Sequence, residues 1–381
     1  MSDLKETEHN KLILLDAMSL SSQEQEIAEK VIKGSRLDFE EGLFLYEKAK
    51  FNYLAVLANF VKERLYGDNV YFNVNIHIEP TNYCIYNCKF CAYARKIGQK
   101  GGWDYNLVEI EQIAKFYQNS SITEVHITGG VHPYHDVYYY AEMIQRIKNI
   151  LPHVYIKAFT AIELYYMFRK AKLDIEEGLS ILKQAGLSAI PGGGAEILDD
   201  ELARKLHDKP GHQIWLNIHR KAHEMGIVSN ATMLYGHIEA YKRRLIHMQY
   251  IRELQDKTGG FNAFIPLKFK NQNNSMSYIP EVSVIEDMRN YAVSRLFLDN
   301  VPHLKAYWVN IGKKNAQMAL SFGVDDLDGT IDDTTKIYSM AGSEEEHPRM
   351  TVAQMVELIR SSNRIPVERD TIYLVRKVYD K

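Results

Sequence analysis

Eight segments with the alternating pattern of a β-strand, each followed by a segment with helical periodicity, run through most of this chain. In the first strand-like segment, apolar Phe72, Val74 and Ile76 alternate with polar residues, as the two faces of a strand do. Parallel strands joined by helices need right-handed crossovers, and eight such units close into a barrel. The sequence therefore predicts an α/β fold, a (β/α)8 TIM-type barrel, with strands at residues 71–80, 123–130, 153–163, 187–196, 227–237, 261–269, 304–312 and 325–331.

Helical patterns lie on both sides of the predicted barrel. Residues 1–70 are expected to form an N-terminal helical segment packed on the barrel, and Asp38 with Glu41 has the spacing of a capping box at the start of one helix. The barrel itself is assigned to residues 71–345. Residues 346–381 are expected to hold the final helix and a C-terminal extension that closes the barrel mouth.

The composition is that of an ordinary globular protein, with 46% hydrophobic and 25% charged residues. A net charge of −3 and a pI near 6.5 give no reason to expect a nucleic acid or an acidic membrane surface as a partner. No apolar run is long enough to span a bilayer, and the polar start MSDLKETEHN lacks the apolar core of a signal peptide. Clustered cysteines without an even-numbered framework favour a reducing compartment, so we expect a cytoplasmic protein.

All three cysteines of the chain, Cys84, Cys88 and Cys91, fall in one loop directly after the first predicted strand. Their C-x3-C-x2-C spacing can ligate three corners of a cubane 4Fe–4S cluster, which leaves one iron open to a substrate. Two alternatives use the same residues. A zinc ion could take His77 or His126 as a fourth ligand, or Cys88 and Cys91 could form a redox pair.

Glycine and polar residues gather where the predicted strands end, which is the end of a barrel that carries the chemistry in barrel enzymes. The candidates are Gly129 and Gly130 after strand 2; Lys157, Thr160 and Glu163 after strand 3; Gly193, Gly194 and Glu196 after strand 4; Asn230, Thr232 and His237 after strand 5; and Tyr307, Trp308 and Asn310 after strand 7.

Each of these candidates has a structural as well as a functional interpretation. Gly130 allows close approach of the backbone to a ligand, or serves a turn with positive φ. Glu196 could accept hydrogen bonds from ribose hydroxyls, or stabilise a helix start. No G-K-[ST] follows the triple glycine, so a phosphate cradle is weakly supported. Near the C-terminus, Arg369 could return to the mouth and bind a carboxylate through its fork, or pair with Glu368 or Asp370 at the surface.

The cysteine loop, with Phe90 before its last cysteine, resembles the cluster loop of the radical S-adenosylmethionine (radical SAM) superfamily. The resemblance implies that S-adenosylmethionine chelates the open iron and that one electron splits it into methionine and a 5′-deoxyadenosyl radical. It also implies that the glycines after strand 2 hold the amino group of the methionine moiety, although the usual acidic residue after them is absent. The expected cofactor-binding residues are Tyr93, Gly129, Gly130, Thr160, Glu163, Gly193, Gly194, Glu196, Asn230 and Thr232.

The segments HITGGVHP, IKAFTAIE, PGGGAEI, SNATMLYGH and AYWVNIG together resemble the aminofutalosine synthase family of the futalosine route to menaquinone. Dehypoxanthine futalosine cyclases and deazaflavin synthase subunits are similar alternatives. The resemblance implies a transferase: the radical adds to the vinyl carbon of 3-[(1-carboxyvinyl)oxy]benzoate, and the adduct rearranges and loses a carboxylate. The products are 6-amino-6-deoxyfutalosine and methionine, so S-adenosylmethionine is consumed as a co-substrate.

Further components follow from the same resemblance. A one-electron donor such as flavodoxin or ferredoxin would reduce the cluster, and Lys157, His237 and Arg369 are the candidate catalytic cations for the two substrate carboxylates. Tyr307 and Trp308 would form an aromatic wall for the benzoate ring. The alternative class is a non-enzymatic iron–sulfur or zinc protein, but an electron carrier would not need a barrel of eight units.

Overall fold

A ring of eight parallel strands forms the centre of the structure, a computed structural model that describes residue 15, residues 18–332 and residues 334–380. Strands β1 to β7 pair with one another in chain order, and β8 pairs with the other edge of β1. A bridge between Lys305 and Asp326 joins β8 to the segment after β7. The strands are β1 Asn69–Ile78, β2 Glu124–Ile127, β3 Tyr155–Ala158, β4 Leu187–Ile190, β5 Val228–Tyr235, β6 Phe261–Lys268, β7 His303–Leu304, β8 Asp326–Ile331, β9 Ile365–Arg369 and β10 Val375–Val378.

Helices precede the barrel, alternate with its strands and follow its last strand. This arrangement confirms the predicted α/β barrel class. The helices of the described residues are α1 Ser22–Ile32, α2 Phe39–Glu47, α3 Phe51–Tyr66, α4 Leu107–Phe116, α5 Val137–Ile150, α6 Ala161–Ala171, α7 Ile175–Ala185, α8 Asp200–Leu206, α9 His212–Glu224, α10 Tyr241–Thr258, α11 Val284–Phe297, α12 Trp308–Ile311, α13 Lys313–Ala319, α14 Ile337–Met340 and α15 Val352–Arg360.

The N-terminal helices begin and pack as their sequence predicts. Asp38 caps α2, and its side chain accepts a hydrogen bond from the backbone of Glu41 at 2.9 Å while Glu41 reaches back to Asp38. This reciprocal bonding confirms the capping box and satisfies two backbone donors that the helix cannot satisfy itself. Leu54 and Leu57 of α3 are fully buried in the core. These helices are therefore part of the same hydrophobic core as the barrel.

Several predicted strands, the second, third, fourth and seventh among them, are shorter than their sequence patterns suggest. The third ends at Ala158, because Thr160 and Glu163 form a capping box that starts α6. The seventh was predicted over residues 304–312, but β7 contains only His303–Leu304, and Trp308 begins the short helix α12. Residues 306–311 are buried throughout, and the periodicity of such a short, largely apolar run cannot distinguish a strand from a helix.

The C-terminal extension lies at the end of the barrel opposite to the predicted position. Strand β9 pairs in parallel with Asn69–Phe72, the first residues of β1, and β10 pairs antiparallel to β9. The hydroxyl of Thr371 donates to Glu124, the first residue of β2, at 2.8 Å. Because the strands of the ring are parallel, their first residues lie at the N-terminal end. The expectation that this extension closes the barrel mouth is therefore wrong.

Among the described residues, no helix is long and apolar enough to cross a membrane. The polar N-terminal segment considered for a signal peptide lies outside the described residues.

Candidate active site

The C-terminal ends of the strands surround a cavity of about 270 Å³. Its wall combines apolar residues of β5, β6 and the segment after β8 with polar residues of the first five strands and the cysteine loop. Most of the site residues predicted from the sequence line this one cavity. They are Cys91, Tyr93, Lys157, Thr160, Gly193, Gly194, Glu196, Asn230, Thr232 and Tyr307.

The cysteine loop is held in place by backbone and lysine hydrogen bonds. The ammonium of Lys96 donates to the carbonyl oxygens of Cys84, Ile85 and Tyr86 at 2.9, 2.8 and 3.2 Å. The backbone N–H of Ala94 points at Cys91 Sγ from 3.4 Å. Such N–H groups stabilise a thiolate sulfur, which is the form that ligates metal. These hydrogen bonds fix the backbone that carries the three sulfurs.

The spacing of the three sulfurs fits a cluster better than a single ion. Among the described residues, one group of side chains has three potential ligand atoms within 4.8 Å of one another, and that group contains no cysteine. The three cysteine sulfurs therefore do not lie that close together, and neither do two of them with a histidine nitrogen. A tetrahedral zinc with bonds of about 2.3 Å needs its sulfurs roughly 4 Å apart. In a cubane cluster each cysteine ligates a different iron, which sets the sulfurs further apart. Three cysteine thiolates are the usual protein ligands of such a cluster, so the donor set suits a 4Fe–4S cluster.

The group that does converge is Asp104, His132 and His135, beside the cysteine loop. The Nε2 atoms of His132 and His135 lie 3.4 and 3.7 Å from one carboxylate oxygen of Asp104. The backbone N–H of Tyr134 donates to Nδ1 of His132 at 3.3 Å, so the proton of the neutral ring lies on Nε2, facing the carboxylate. A metal ligand has the opposite arrangement, and we assign no metal to this group.

Lys209 is a site residue that no sequence motif indicated. Its ammonium is hydrogen-bonded to the carboxylate of Glu196 and lies 5.5 Å from the centre of the Phe90 ring. Burial raises the pKa of Cys88 to about 12, and the Lys209 ammonium opposes this rise. Burial would also raise the pKa of Glu196, but Lys209 holds it below its ordinary value. Lys209 therefore brings positive charge to the side of the cavity where the cysteine thiolates form.

The glycines after β2 pack against the cysteine loop and do not line the cavity. A Cβ on Gly129 would lie 2.6 Å from the carbonyl oxygen of Thr81, and one on Gly130 would lie 2.3 Å from that of Tyr83. Only glycine permits this approach of two backbones. The carboxylate of Glu163 accepts a hydrogen bond from the Gly129 N–H at 3.2 Å. Glu163 therefore holds the glycine segment in place, and burial raises its pKa to about 7.

Two of the predicted catalytic cations do not face the cavity. The Nε2 atom of His237 is hydrogen-bonded to the carbonyl oxygen of Leu234 at 3.1 Å, and its Nδ1 lies 3.2 Å from the carboxylate of Glu239. Arg369 is 1% exposed and pairs with Asp326 at 2.7 Å at the N-terminal end of the barrel. The expectation that His237 and Arg369 meet a substrate at the mouth is wrong, because neighbouring carboxylates hold both side chains elsewhere.

Lys157 lines the cavity, but its charge is compensated. Its ammonium lies 2.6 Å from Glu124, and both side chains are buried. Burial would raise the pKa of Glu124, but Lys157 and the other cations around it lower that pKa to about 2. The pair is therefore ionic, and Lys157 is not a free cation.

The aromatic wall differs from the predicted one by one residue. Tyr307 lines the cavity, and its ring centre lies 5.2 Å from that of Tyr338. Trp308 points away and donates from Nε1 to the carbonyl oxygen of Gly329 at 2.9 Å. The Asn310 side chain binds the backbone of β6. Tyr307 and Tyr338 thus form the wall that Tyr307 and Trp308 were expected to form.

Comparisons with known proteins agree with this geometry. Residues 78–251 match the family described as the Radical SAM superfamily, and residues 258–381 match the CofH/MqnC C-terminal region. The solved structure of methylornithine synthase has the same fold, with a TM-score of 0.70 at 18% identity over 88% of this chain and 95% of that one. The fold, the cysteine loop and the family match agree that the chain belongs to the radical SAM superfamily of enzymes.

Curated relatives narrow the assignment. The chain is 43% identical to aminodeoxyfutalosine synthase of Thermus thermophilus, over 93% of this chain and 96% of the relative. It is 38% identical to the enzyme of that name from Streptomyces coelicolor, over 93% and 95%. Cyclic dehypoxanthine futalosine synthase of Streptomyces coelicolor is 34% identical, over 93% and 90%. The chain is thus a member of the aminodeoxyfutalosine synthase family, which confirms the resemblance stated from the sequence.

Proposed function

We propose that this enzyme adds the 5′-deoxyadenosyl group of S-adenosylmethionine to 3-[(1-carboxyvinyl)oxy]benzoate and so forms 6-amino-6-deoxyfutalosine for menaquinone synthesis. The observation that carries the proposal is the 43% identity to an aminodeoxyfutalosine synthase along 93% of the chain. Identity to the cyclic dehypoxanthine futalosine synthase over the same share is 34%. The difference favours addition of the radical over abstraction of a hydrogen.

The residues of the cavity suit S-adenosylmethionine at the mouth. Cys84, Cys88 and Cys91 would hold the 4Fe–4S cluster, which when bound supplies the electron that splits the sulfonium. Gly193 and Gly194 line the cavity beside Cys91, so their backbone can approach a nucleoside closely. The remaining candidates for contacts to the adenosyl and methionine groups are Tyr93, Thr160, Glu196, Asn230 and Thr232.

The aromatic and aliphatic part of the cavity wall suits an aromatic substrate. Ile265, Leu267, Tyr307 and Tyr338 line it, and aromatic and aliphatic surfaces of this kind bind a benzene ring by burying its faces. They also enclose the radical away from other C–H hydrogen donors, which limits side reactions. In our proposal this wall holds the vinyl carbon against C5′ of the cleaved co-substrate, the geometry that favours addition over competing reactions.

Two further components complete the proposal: an electron donor, which the family resemblance implies, and a compartment, which the clustered cysteines favour. A flavodoxin or ferredoxin would deliver the single electron, and the reaction would take place in the reducing cytoplasm, where three free thiols persist.

The proposed function is tested by anaerobic turnover of reconstituted enzyme with S-adenosylmethionine, dithionite and the enol ether, followed by mass spectrometry. We expect 6-amino-6-deoxyfutalosine and methionine. The Cys88→Ala variant should give neither product, since the cluster would lose one of its ligands. Absence of the adduct from wild-type enzyme with four bound irons would refute the proposal, and turnover of dehypoxanthine futalosine would favour the cyclase alternative.

A further inference from the structure

Two histidines occupy the deepest layer of the cavity wall. His77 of β1 and His126 of β2 are register partners, and Lys157 of β3 continues the same row. All three residues line the cavity. The two imidazole rings lie 4.5 Å apart, centre to centre. The rings therefore form one continuous polar surface inside the barrel.

The hydrogen-bonding capacity of these rings is unused by the protein. Among the described residues, neither ring nitrogen of His126 has a hydrogen-bond partner, and Nε2 of His77 has none. A neutral imidazole always carries one N–H, and a buried donor without an acceptor is destabilising. The N–H of His126 therefore has no acceptor among the described residues, on either nitrogen. Because both rings line the cavity, a ligand that enters it can supply the acceptor.

The charged groups around the two histidines form ion pairs with one another. Lys157 is bound to Glu124 at 2.6 Å, and Lys305 is bound to Asp328 at 2.7 Å. Asp328 also lines the cavity, and Lys305 neutralises it. The pair is therefore surrounded by balanced charge, so an anionic group can enter without meeting an unpaired carboxylate.

The position of His77 and His126 in the cavity indicates which end of the proposed substrate they contact. His77 and His126 lie within the barrel strands, whereas Cys91 and Tyr93 lie in the loop beyond β1. The ring of Tyr307 is nearly parallel to that of His77, with centres 6.4 Å apart. An aromatic ring beside Tyr307 would direct its far substituent at the histidines. In 3-[(1-carboxyvinyl)oxy]benzoate, the group farthest from the reacting vinyl carbon is the carboxylate on the ring.

We propose that His77 and His126 bind the ring carboxylate of the substrate through their N–H groups, and that this contact sets the distance of the vinyl carbon from the radical. The inference rests on the proposed function and names a contact within the same cavity. Burial lowers the pKa of His77 to about 4 and that of His126 well below its ordinary value. Each free ring is thus neutral at pH 7 and offers one N–H, and an arriving carboxylate raises both pKa values.

The test compares two ligands that differ only in the ring carboxylate: the enol ether itself and (1-carboxyvinyl)oxybenzene. Affinity is measured by calorimetry with S-adenosylmethionine present and no reductant, so that turnover is not required. Wild-type enzyme should bind the dicarboxylate at least about tenfold more tightly, as hydrogen bonds to a charged group imply. The His126→Phe and His77→Phe variants, which keep a ring without the N–H, should lose most of this preference.

Asn230→Ala is the matched control, since Asn230 lines the same cavity on β5. It should shift the affinities of both ligands by similar factors and keep the preference. Circular dichroism and iron content establish that each variant is folded. Equal affinity of wild-type enzyme for the two ligands, or folded histidine variants that keep the full preference, would overturn the inference. Failure of turnover with an intact binding preference would instead count against the proposed function alone.

Discussion

The ammonium of Lys209 is hydrogen-bonded to the carboxylate of Glu196, and the pair is buried between the cavity and the cluster cysteines. Glu196 has a positive φ of 54°, a backbone conformation that costs a non-glycine residue energy and that the surrounding structure must maintain. The triple glycine before it lets the chain turn into this position. The pair thus anchors the loop after β4 to the segment after α8, across the mouth of the cavity.

Removal of one member of this pair should destabilise the enzyme more than removal of both. Lys209→Met leaves the Glu196 carboxylate buried without a counter-charge, and we expect a loss of about 3–5 kcal/mol in the free energy of unfolding. The Lys209→Met, Glu196→Gln double variant should recover a large part of that loss. Chemical denaturation of the reconstituted proteins measures both effects. Equal stability of wild type and Lys209→Met would mean that the pair is solvated and not anchoring.

The two glycine segments should respond differently to an added methyl group. Gly130→Ala places Cβ 2.3 Å from the Tyr83 carbonyl oxygen, whereas Gly193→Ala meets only the methyl group of Thr160 at 3.1 Å. We expect Gly130→Ala to distort the cysteine loop and bind less iron after reconstitution. Gly193→Ala should bind normal iron and bind S-adenosylmethionine more weakly. Iron analysis and calorimetry distinguish the two, and a full iron content in Gly130→Ala would show that the loop tolerates the side chain.

Glu79 should make stability depend on pH, because it holds the segment that covers the cavity. Its carboxylate accepts hydrogen bonds from Thr335 Oγ1 at 2.6 Å and from the N–H groups of Lys336 and Ile337. Burial raises the pKa of Glu79 to about 7 from an ordinary 4.5, although these hydrogen bonds oppose the rise. The folded state thus binds this proton more tightly than the unfolded chain does. The stability that Glu79 gains from this tighter proton binding is complete below pH 4.5 and is lost as the pH rises through 7.

The free energy of unfolding, measured from pH 5 to pH 8 in wild type and in Glu79→Gln, tests the direction of this pH dependence. The amide cannot ionise, so wild type should lose stability relative to the variant over that range, by up to about 3 kcal/mol. Glu26→Gln, at an exposed position in α1, is the control and should follow wild type. A constant difference between wild type and Glu79→Gln would show that Glu79 does not titrate in this range.

Features determined by nearby residues in the chain were predictable. The capping box of Asp38 and Glu41 needs only its own four residues, and the cysteine loop follows directly from β1. In the alternating pattern of β1, the polar residues are informative as well as the apolar ones. Asn73, Asn75 and His77 alternate with the apolar residues, and Asn75 accepts a hydrogen bond from β8 at 3.0 Å. These polar residues are a signal for the cavity-facing row that includes His77, a row that was not predicted, since His77 was considered only as a possible zinc ligand.

Features that depend on distant partners could not be predicted from local patterns. Arg369 is bound to Asp326, 43 residues earlier, and nothing near Arg369 in sequence indicates that this partner lies at the closed end of the barrel. Lys209 lies in a short loop with no motif, and its importance comes from contact with Glu196. The two members of each pair meet only when separate helices, strands and loops pack together, and a single sequence does not reveal that packing.

The most direct test of the account is the fate of the adenosyl group in a single turnover experiment. Enzyme is supplied with S-adenosylmethionine labelled in the adenosyl group, together with the enol ether and a reductant, and the labelled products are quantified. The account predicts that the label enters a single adduct formed in equal amounts with methionine, with almost none as free 5′-deoxyadenosine, because the radical adds to the vinyl carbon. Recovery of the label chiefly as 5′-deoxyadenosine would contradict the account and would indicate hydrogen abstraction.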